Sequence, residues 1–126
     1  RLEGLNKAYG TTVLVGEQTR EQLGDEFWVR ELDLVQVKGK AVPARIFEVL
    51  GPRDAPCPVD VEGFEAGLAA YRRAEWDDAR AKFLAVRDAG DTPDPPSAVF
   101  LERIDALEAR GVTADGWDGL FVMETK

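Results

Sequence analysis

Apolar positions along the chain fall into two regimes, divided by a proline-rich stretch. Before it they gather in short β-branched runs, and after it they recur at helical spacing. In the first regime, residues 2–8 predict the end of a helix, with Leu2 and Leu5 on one face and Tyr9-Gly10 stopping it. Residues 11–15 are β-branched and almost wholly apolar, which predicts a strand covered on both faces. A short helix over 18–23, closed by Gly24, follows. Residues 27–37 predict a strand whose alternation breaks around Arg30 to Asp33, the mark of a bulge or bend. Lys38-Gly39-Lys40 is a tight turn, and residues 42–50 return as a strand. Pro43 near its start implies an edge, or the point where the chain enters the strand. The order helix, strand, helix, strand, strand is α+β.

Pro52, Pro56 and Pro58 lie within seven residues, which denies both helix and central strand. Residues 52–61 are therefore expected to form a linker between residues 1–51 and a helical part, 62–126. In that part Phe64, Gly67, Leu68 and Tyr71 share one helix face. Trp76, Ala79, Phe83 and Val86 share the face of a second helix, after a turn at Ala74-Glu75. The small Gly67 and Ala79 beside Trp76 and Phe83 suggest a tetratricopeptide-type hairpin, which cannot bury its face without packing on something else. Asp94-Pro95 signals a third helix start, with Asp94 as N-cap and Pro95 at the first position. Phe100, Ile104 and Leu107 form its apolar stripe. After Trp117-Asp118-Gly119, residues 120–123 predict a short apolar strand or docking tail.

Composition narrows the possible chemistry. The 126 residues hold no histidine, which removes imidazole bases and histidine metal ligands. The single Cys57, between two prolines, can form no intrachain disulfide and has no neighbour to activate it. No apolar run approaches the roughly 20 residues of a membrane helix. The chain opens Arg1-Leu2-Glu3 and reads as a fragment starting mid-protein. Residues 1–51 carry seven Lys/Arg against eight Asp/Glu, a net of −1, whereas residues 52–126 carry nine against sixteen, a net of −7. Such a half repels a polyanion, so nucleic acid is not an expected partner. Phosphate chemistry is expected in the first half.

Candidate catalytic patterns are sparse: there are no informatively spaced carboxylate pairs, no nucleophile elbow, no glycine-rich phosphate loop and no metal cluster. Asp25-Glu26 and Asp77-Asp78 read as solvated charges. Lys38-Gly39-Lys40 sets two cations around a glycine at a strand end, suited to phosphate, yet pattern alone favours a solvated turn.

A resemblance adds to this reading. Arg1-Leu2-Glu3-Gly4-Leu5-Asn6-Lys7, Tyr9-Gly10-Thr11 before Val13-Leu14-Val15, Arg30-Glu31-Leu32-Asp33, Val35-Gln36-Val37-Lys38-Gly39-Lys40 and Ile46-Phe47-Glu48-Val49-Leu50 are together similar to class III adenylate/guanylate cyclases. The match runs in order, without gaps, through residues 1–51. More loosely, Tyr71, Trp76, Ala79, Phe83, Asp94, Ser97, Leu101, Arg103 and Trp117-Asp118-Gly119 resemble the acidic helical extension of bacterial members that carry an extracytoplasmic sensor.

The resemblance implies a partial ferredoxin-like cyclase catalytic domain, a mixed sheet with helices, followed by an all-α helical-hairpin tail. It implies a dimeric lyase that turns a nucleoside triphosphate, ATP ahead of GTP, into the 3′,5′-cyclic nucleotide and pyrophosphate for intracellular signalling. Mg²⁺ or Mn²⁺ would be held by aspartates preceding this chain, so no metal ligand is assigned here. Arg1 falls on the family's transition-state arginine, and Lys38 on the lysine that binds substrate phosphates. Lys40 is expected to be a solvated neighbour. The chain alone is expected to be inactive and cytoplasmic, any inner-membrane anchor lying upstream. The alternative is a non-catalytic helical interaction or regulatory module joined to a degenerate cyclase remnant. An asparagine four positions before Arg1, with two metal-binding aspartates further upstream, would favour the enzyme.

Overall fold

The computed structural model describes residues 3–37 and 42–123. In chain order they form α1 (Glu3–Tyr9), β1 (Leu14–Gly16), α2 (Glu17–Leu23), β2 (Phe27–Val37), β3 (Ala44–Pro52), α3 (Val61–Arg72), α4 (Trp76–Arg87), α5 (Pro95–Ala109), a 3₁₀ turn (Ala114–Gly116) and β4 (Phe121–Met123). The fold is α+β. Its four strands lie in the order β1-β3-β2-β4, antiparallel through the first three and parallel between β2 and β4.

Two strands differ from the sequence expectation, each for a local reason. The strand expected over residues 11–15 is only Leu14–Gly16. Gly10, at φ +72°, ends α1 in a conformation natural to glycine. Thr11 then bonds back to Asn6, its N–H to the backbone oxygen (3.0 Å) and its hydroxyl to the side-chain oxygen (2.8 Å). Those bonds hold Thr11 out of the strand. Val13, 45% exposed, lies before β1 and is not covered on both faces. The strand expected over 42–50 begins at Ala44 and runs to Pro52. Pro43 stands just before it, where a missing N–H costs no ladder bond. Pro52 pairs with Phe27 at the far end of the ladder, past a register shift opposite Trp28 and Val29.

The break in β2 is a β-bulge. Glu31 pairs with Phe47 and Asp33 with Ile46, leaving Leu32 as the extra residue. Strict alternation from Arg30 would bury residues 32, 34 and 36; here Arg30, Leu32, Asp33 and Val35 are buried. The bulge therefore turns the charged Asp33 toward the interior, where Arg30 is also buried.

The helices begin where their caps stand. Asp60 accepts a bond from the N–H of Gly63 (3.0 Å) at the start of α3. Asp94 accepts one from Ser97 N–H (3.3 Å) at the start of α5, with Pro95 at its first position. The apolar faces read from sequence are buried: Phe64, Gly67, Leu68 and Tyr71 in α3; Trp76, Ala79, Phe83 and Val86 in α4; Phe100, Ile104 and Leu107 in α5. A Cβ on Gly67 would lie 3.0 Å from the Phe83 ring, which is why the smallest residue stands there.

The apolar core runs across the proline stretch. Leu5, Tyr9, Leu32, Val35 and Ile46 from the first segment belong to one cluster with the buried residues of α3, α4 and α5. Phe100 is its aromatic hub, stacked on Phe83 (5.0 Å) and edge-on to Tyr71 (4.9 Å) and Phe64 (5.8 Å). At the rim of this contact a Cβ on Gly10 would stand 2.6 Å from the Cβ of Pro95, so the end of α1 abuts the start of α5.

Candidate functional site

Arg1 and Lys38, the two residues expected to meet substrate, lie outside the described residues, as does Lys40. The described residues instead hold two arginine-centred clusters between the sheet and the helical segment. In the first, β2 supplies Arg30, β3 supplies Glu48 and the start of α5 supplies Asp94. Arg30, 1% exposed, donates from Nε to Glu48 Oε1 (2.9 Å). It also grips Asp94 with both terminal nitrogens, Nη1 to Oδ2 (2.9 Å) and Nη2 to Oδ1 (2.8 Å). Its guanidinium carbon sits 4.4 Å from the centre of the Phe64 ring. Asp94 further accepts from the Ser97 hydroxyl (2.7 Å) while capping α5.

Two carboxylates thus share one guanidinium, and they respond differently. Burial opposes ionisation of Asp94, but the fork to Arg30 and the bonds from Ser97 outweigh it, leaving its pKa below the ordinary value. Glu48 is pushed up: burial dominates, Asp94's charge adds to it, and Arg30 only partly compensates. The directions are consistent because the cluster carries one negative charge more than positive, and the carboxylate with fewer bonds takes the proton first. Burial alone would pull the Arg30 guanidinium down, and its two carboxylate partners more than offset that.

The second cluster centres on Asp33, which is fully buried at the bulge. Tyr9 donates its hydroxyl to Asp33 Oδ2, and Arg103 of α5 donates Nη1 to the same oxygen (2.8 Å). Asp33 Oδ1 accepts from the N–H of Leu34 (2.8 Å). Arg103 reaches both tyrosine hydroxyls, Tyr71 from Nη1 and Tyr9 from Nη2, each at 3.4 Å. Its planar head lies over Phe121 (3.9 Å) and Phe100 (4.7 Å). Burial is the main reason both tyrosines are raised, Tyr71 to about 12 and Tyr9 further.

These clusters are stabilising in character: among the described residues, no buried side-chain nitrogen or oxygen of either lacks a hydrogen-bond partner. Among the described residues no group of three or more Cys, Asp or Glu could hold a metal ion. The carboxylates of the buried Asp33 and the half-buried Glu48 and Asp94 are each occupied by an arginine. Two clefts flank the proline stretch. One, of about 460 Å³, lies between residues 57–60 and 89–95; the other, of about 390 Å³, is lined in part by Arg20, Phe27, Trp28 and Arg53. Cys57 lines both, and its thiol donates to the Val59 carbonyl (3.2 Å). No helix is long and apolar enough to cross a membrane among the described residues.

Sequence reasoning placed Tyr71 on a helix face and Asp94 as an N-cap, named Arg103 only as part of a looser resemblance, and gave Asp33 and Glu48 no role. The available signal was Arg30 and Asp33 standing where a strand's buried face calls for apolar residues.

Comparison with known proteins supports the cyclase part of the resemblance. The chain is 29% identical over 110 residues to "Adenylate cyclase, terminal-differentiation specific" of Dictyostelium discoideum, a match covering 82% of the chain and 5% of that protein. It is 40% identical over 70 residues to "Adenylate cyclase 1" of Rhizobium meliloti (strain 1021), covering 56% of the chain and 10% of that protein. The matched stretches are thus a tenth or less of these relatives' own lengths. Together they support a relationship to adenylate cyclases at the level of family. Neither match fits within residues 1–51, so the similarity reaches beyond the first segment in both cases. No protein-family model matches the chain, and no solved structure matches it.

Proposed function

We propose that this chain is the C-terminal part of a class III nucleotide cyclase: the end of a ferredoxin-like catalytic domain, with a tetratricopeptide-like helical extension packed on it. The reading is carried by the similarity to two proteins named adenylate cyclase, over stretches longer than residues 1–51. In the proposed reaction the 3′-hydroxyl oxygen of ATP attacks the α-phosphorus. A P–O3′ bond forms, the bond to the β-bridging oxygen breaks, and pyrophosphate departs with that electron pair while the hydroxyl proton is lost to base.

Lys38 would hold the substrate phosphates as a point charge, and Arg1 would present its forked guanidinium to the oxygens at phosphorus. The described residues do not fit a divalent ion, so in this reading Mg²⁺ or Mn²⁺ is held by residues outside this chain. A second copy of the polypeptide would complete the site, on the cytoplasmic side of any membrane anchor.

The test is a cyclic-nucleotide assay with ATP and Mn²⁺. The longer polypeptide carrying this segment is expected to form 3′,5′-cyclic AMP, with Lys38→Ala and Arg1→Ala each lowering the rate about 10²-fold or more. The 126-residue chain alone is expected to form none. Product from the chain alone would contradict the fragment reading, and none from the longer polypeptide would contradict the cyclase reading.

A further inference from the structure

Pairing with a carboxylate is the common state of arginine in this chain. Arg30, Arg45, Arg72, Arg73, Arg80, Arg87 and Arg103 each form such a pair. Among the described arginines, Arg20, Arg53 and Arg110 form none. Arg20 of α2 and Arg53, just after β3, line one cleft, that of about 390 Å³ beside the proline stretch.

Arg53 is held in place without a carboxylate. Its backbone N–H donates to the Glu26 carbonyl (2.9 Å), and its guanidinium carbon lies 4.3 Å from the centre of the Trp28 ring. That ring is fixed in turn, because its indole N–H donates to the Ala55 carbonyl (2.7 Å). A guanidinium stacked by its face keeps the N–H groups of its edge for a planar anion. Phe27, Val29 and Val59, all half-buried, add apolar surface to the same cleft.

The lining also limits the charge of a partner. Asp60 and Glu62 share it with the two arginines, so the cleft is formally neutral. A phosphate dianion would leave two uncompensated negative charges on a chain already at −8, whereas a carboxylate leaves one. An exposed arginine–carboxylate pair contributes little by itself, so affinity also requires an apolar body against the walls.

We propose that this cleft binds a small organic monocarboxylate carrying an apolar ring or short alkyl chain. Arg53 presents its edge to the carboxylate and Arg20 supplies the second positive charge. The ring or chain lies against Phe27 and Val29. Because the start of α3 lines the cleft together with α2 and β2, such a ligand touches both the sheet and the helical tail.

The experiment titrates benzoate into the chain carrying fluorotryptophan, at pH 7.5 and constant ionic strength, and follows the three fluorine resonances. Benzamide serves as the neutral isostere and phenyl phosphate as the dianion. Benzoate is expected to shift the Trp28 resonance saturably, with a Kd of about 1 mM, and to leave Trp76 and Trp117 in place. Benzamide and phenyl phosphate should each bind about tenfold more weakly. Arg53→Gln and Arg20→Gln should each weaken benzoate about tenfold. Arg20→Gln leaves the stack of Arg53 on Trp28 intact, so it decides the matter should Arg53→Gln disturb the ring. No saturable shift of Trp28 by ~20 mM benzoate would overturn the site. Equal binding of benzamide would overturn the role of charge, and tighter binding of phenyl phosphate would overturn the ligand class. Unchanged affinity in Arg20→Gln would remove Arg20 from the site.

Discussion

Arg30 and Asp94, sixty-four residues apart in the chain, meet in a two-bonded fork with nitrogen–oxygen distances of 2.9 and 2.8 Å. Asp94 is at once the N-cap of α5 and the partner of a buried arginine on the sheet. One carboxylate therefore starts the third helix and docks it. Glu48 still neutralises Arg30 in Asp94→Asn, so what is lost is the charge-assisted fork that docks α5, and such bonds to a charged group are worth about 1.5–3 kcal/mol. Asp94→Asn is expected to lose stability on that scale in urea unfolding. A loss below about 1 kcal/mol would argue against the fork as a docking element.

Glu48→Gln is expected to cost far less than Asp94→Asn. Burial disfavours the charge on Glu48, and a glutamine oxygen can still accept from Arg30 Nε. The substitution also leaves the cluster neutral. Equal losses for the two variants in the same denaturant series would contradict the asymmetry.

The pH dependence of stability follows from the same pair. Asp94 has a depressed pKa when folded, so its contribution is present above the ordinary 3.8 and is lost as pH falls through the folded value. Glu48 has a raised pKa when folded, so its contribution is present below the ordinary 4.5 and is lost as pH rises through the folded value. Denaturation measured in steps from pH 7 to pH 3 is expected to show a shallow gain just above 4.5. A loss below 3.8 should follow. Glu48→Gln should remove the gain and Asp94→Asn should flatten the loss. A curve unaltered by either variant would show that neither carboxylate is linked to folding.

The chain's two tyrosines, Tyr9 and Tyr71, both lie in the Asp33–Arg103 cluster. Their raised pKa values mean that the stabilising contribution is complete below the ordinary 10.0 and is lost as pH rises through the folded values. Absorbance at ~295 nm, where tyrosinate absorbs, is expected to show no step near pH 10 while circular dichroism remains native. The step should come near pH 12, or together with unfolding. A tyrosine ionising near 10 in the folded chain would place its ring outside the cluster.

Gly10→Ala is expected to destabilise by about 2–4 kcal/mol, combining the left-handed backbone of Gly10 with overpacking against Pro95. Thermal unfolding of this variant beside Gly16→Ala is a direct comparison, since a Cβ at Gly16 would meet nothing within 4 Å. Equal midpoints for the two would contradict the close approach of α1 and α5.

The order of elements was legible in sequence because short β-branched runs and helical stripes differ in period, and the cap at Asp94 acts within one turn. The bulge was legible as a break in alternation at Arg30 to Asp33. What the bulge achieves was not, because its consequence depends on Asp94 and Arg103, and nothing local in either regime specifies that distant pairing. The proline run from Pro52 to Pro58 marks a change of composition, but the core is assembled by packing across it, with Phe100 beside Tyr9 (6.4 Å). The roles of Arg1 and Lys38 came from resemblance, since no pattern of spacing distinguishes one cation from another.

The central structural claim is that the sheet and the helical tail form one cooperative unit, and the three tryptophans divide between them: Trp28 on β2, Trp76 on α4 and Trp117 before β4. Fluorine NMR of the chain carrying fluorotryptophan, followed through urea unfolding, reads each side separately. The expected result is that all three native resonances vanish at one midpoint. Loss of the Trp28 resonance at a different urea concentration from Trp76 and Trp117 would contradict the claim.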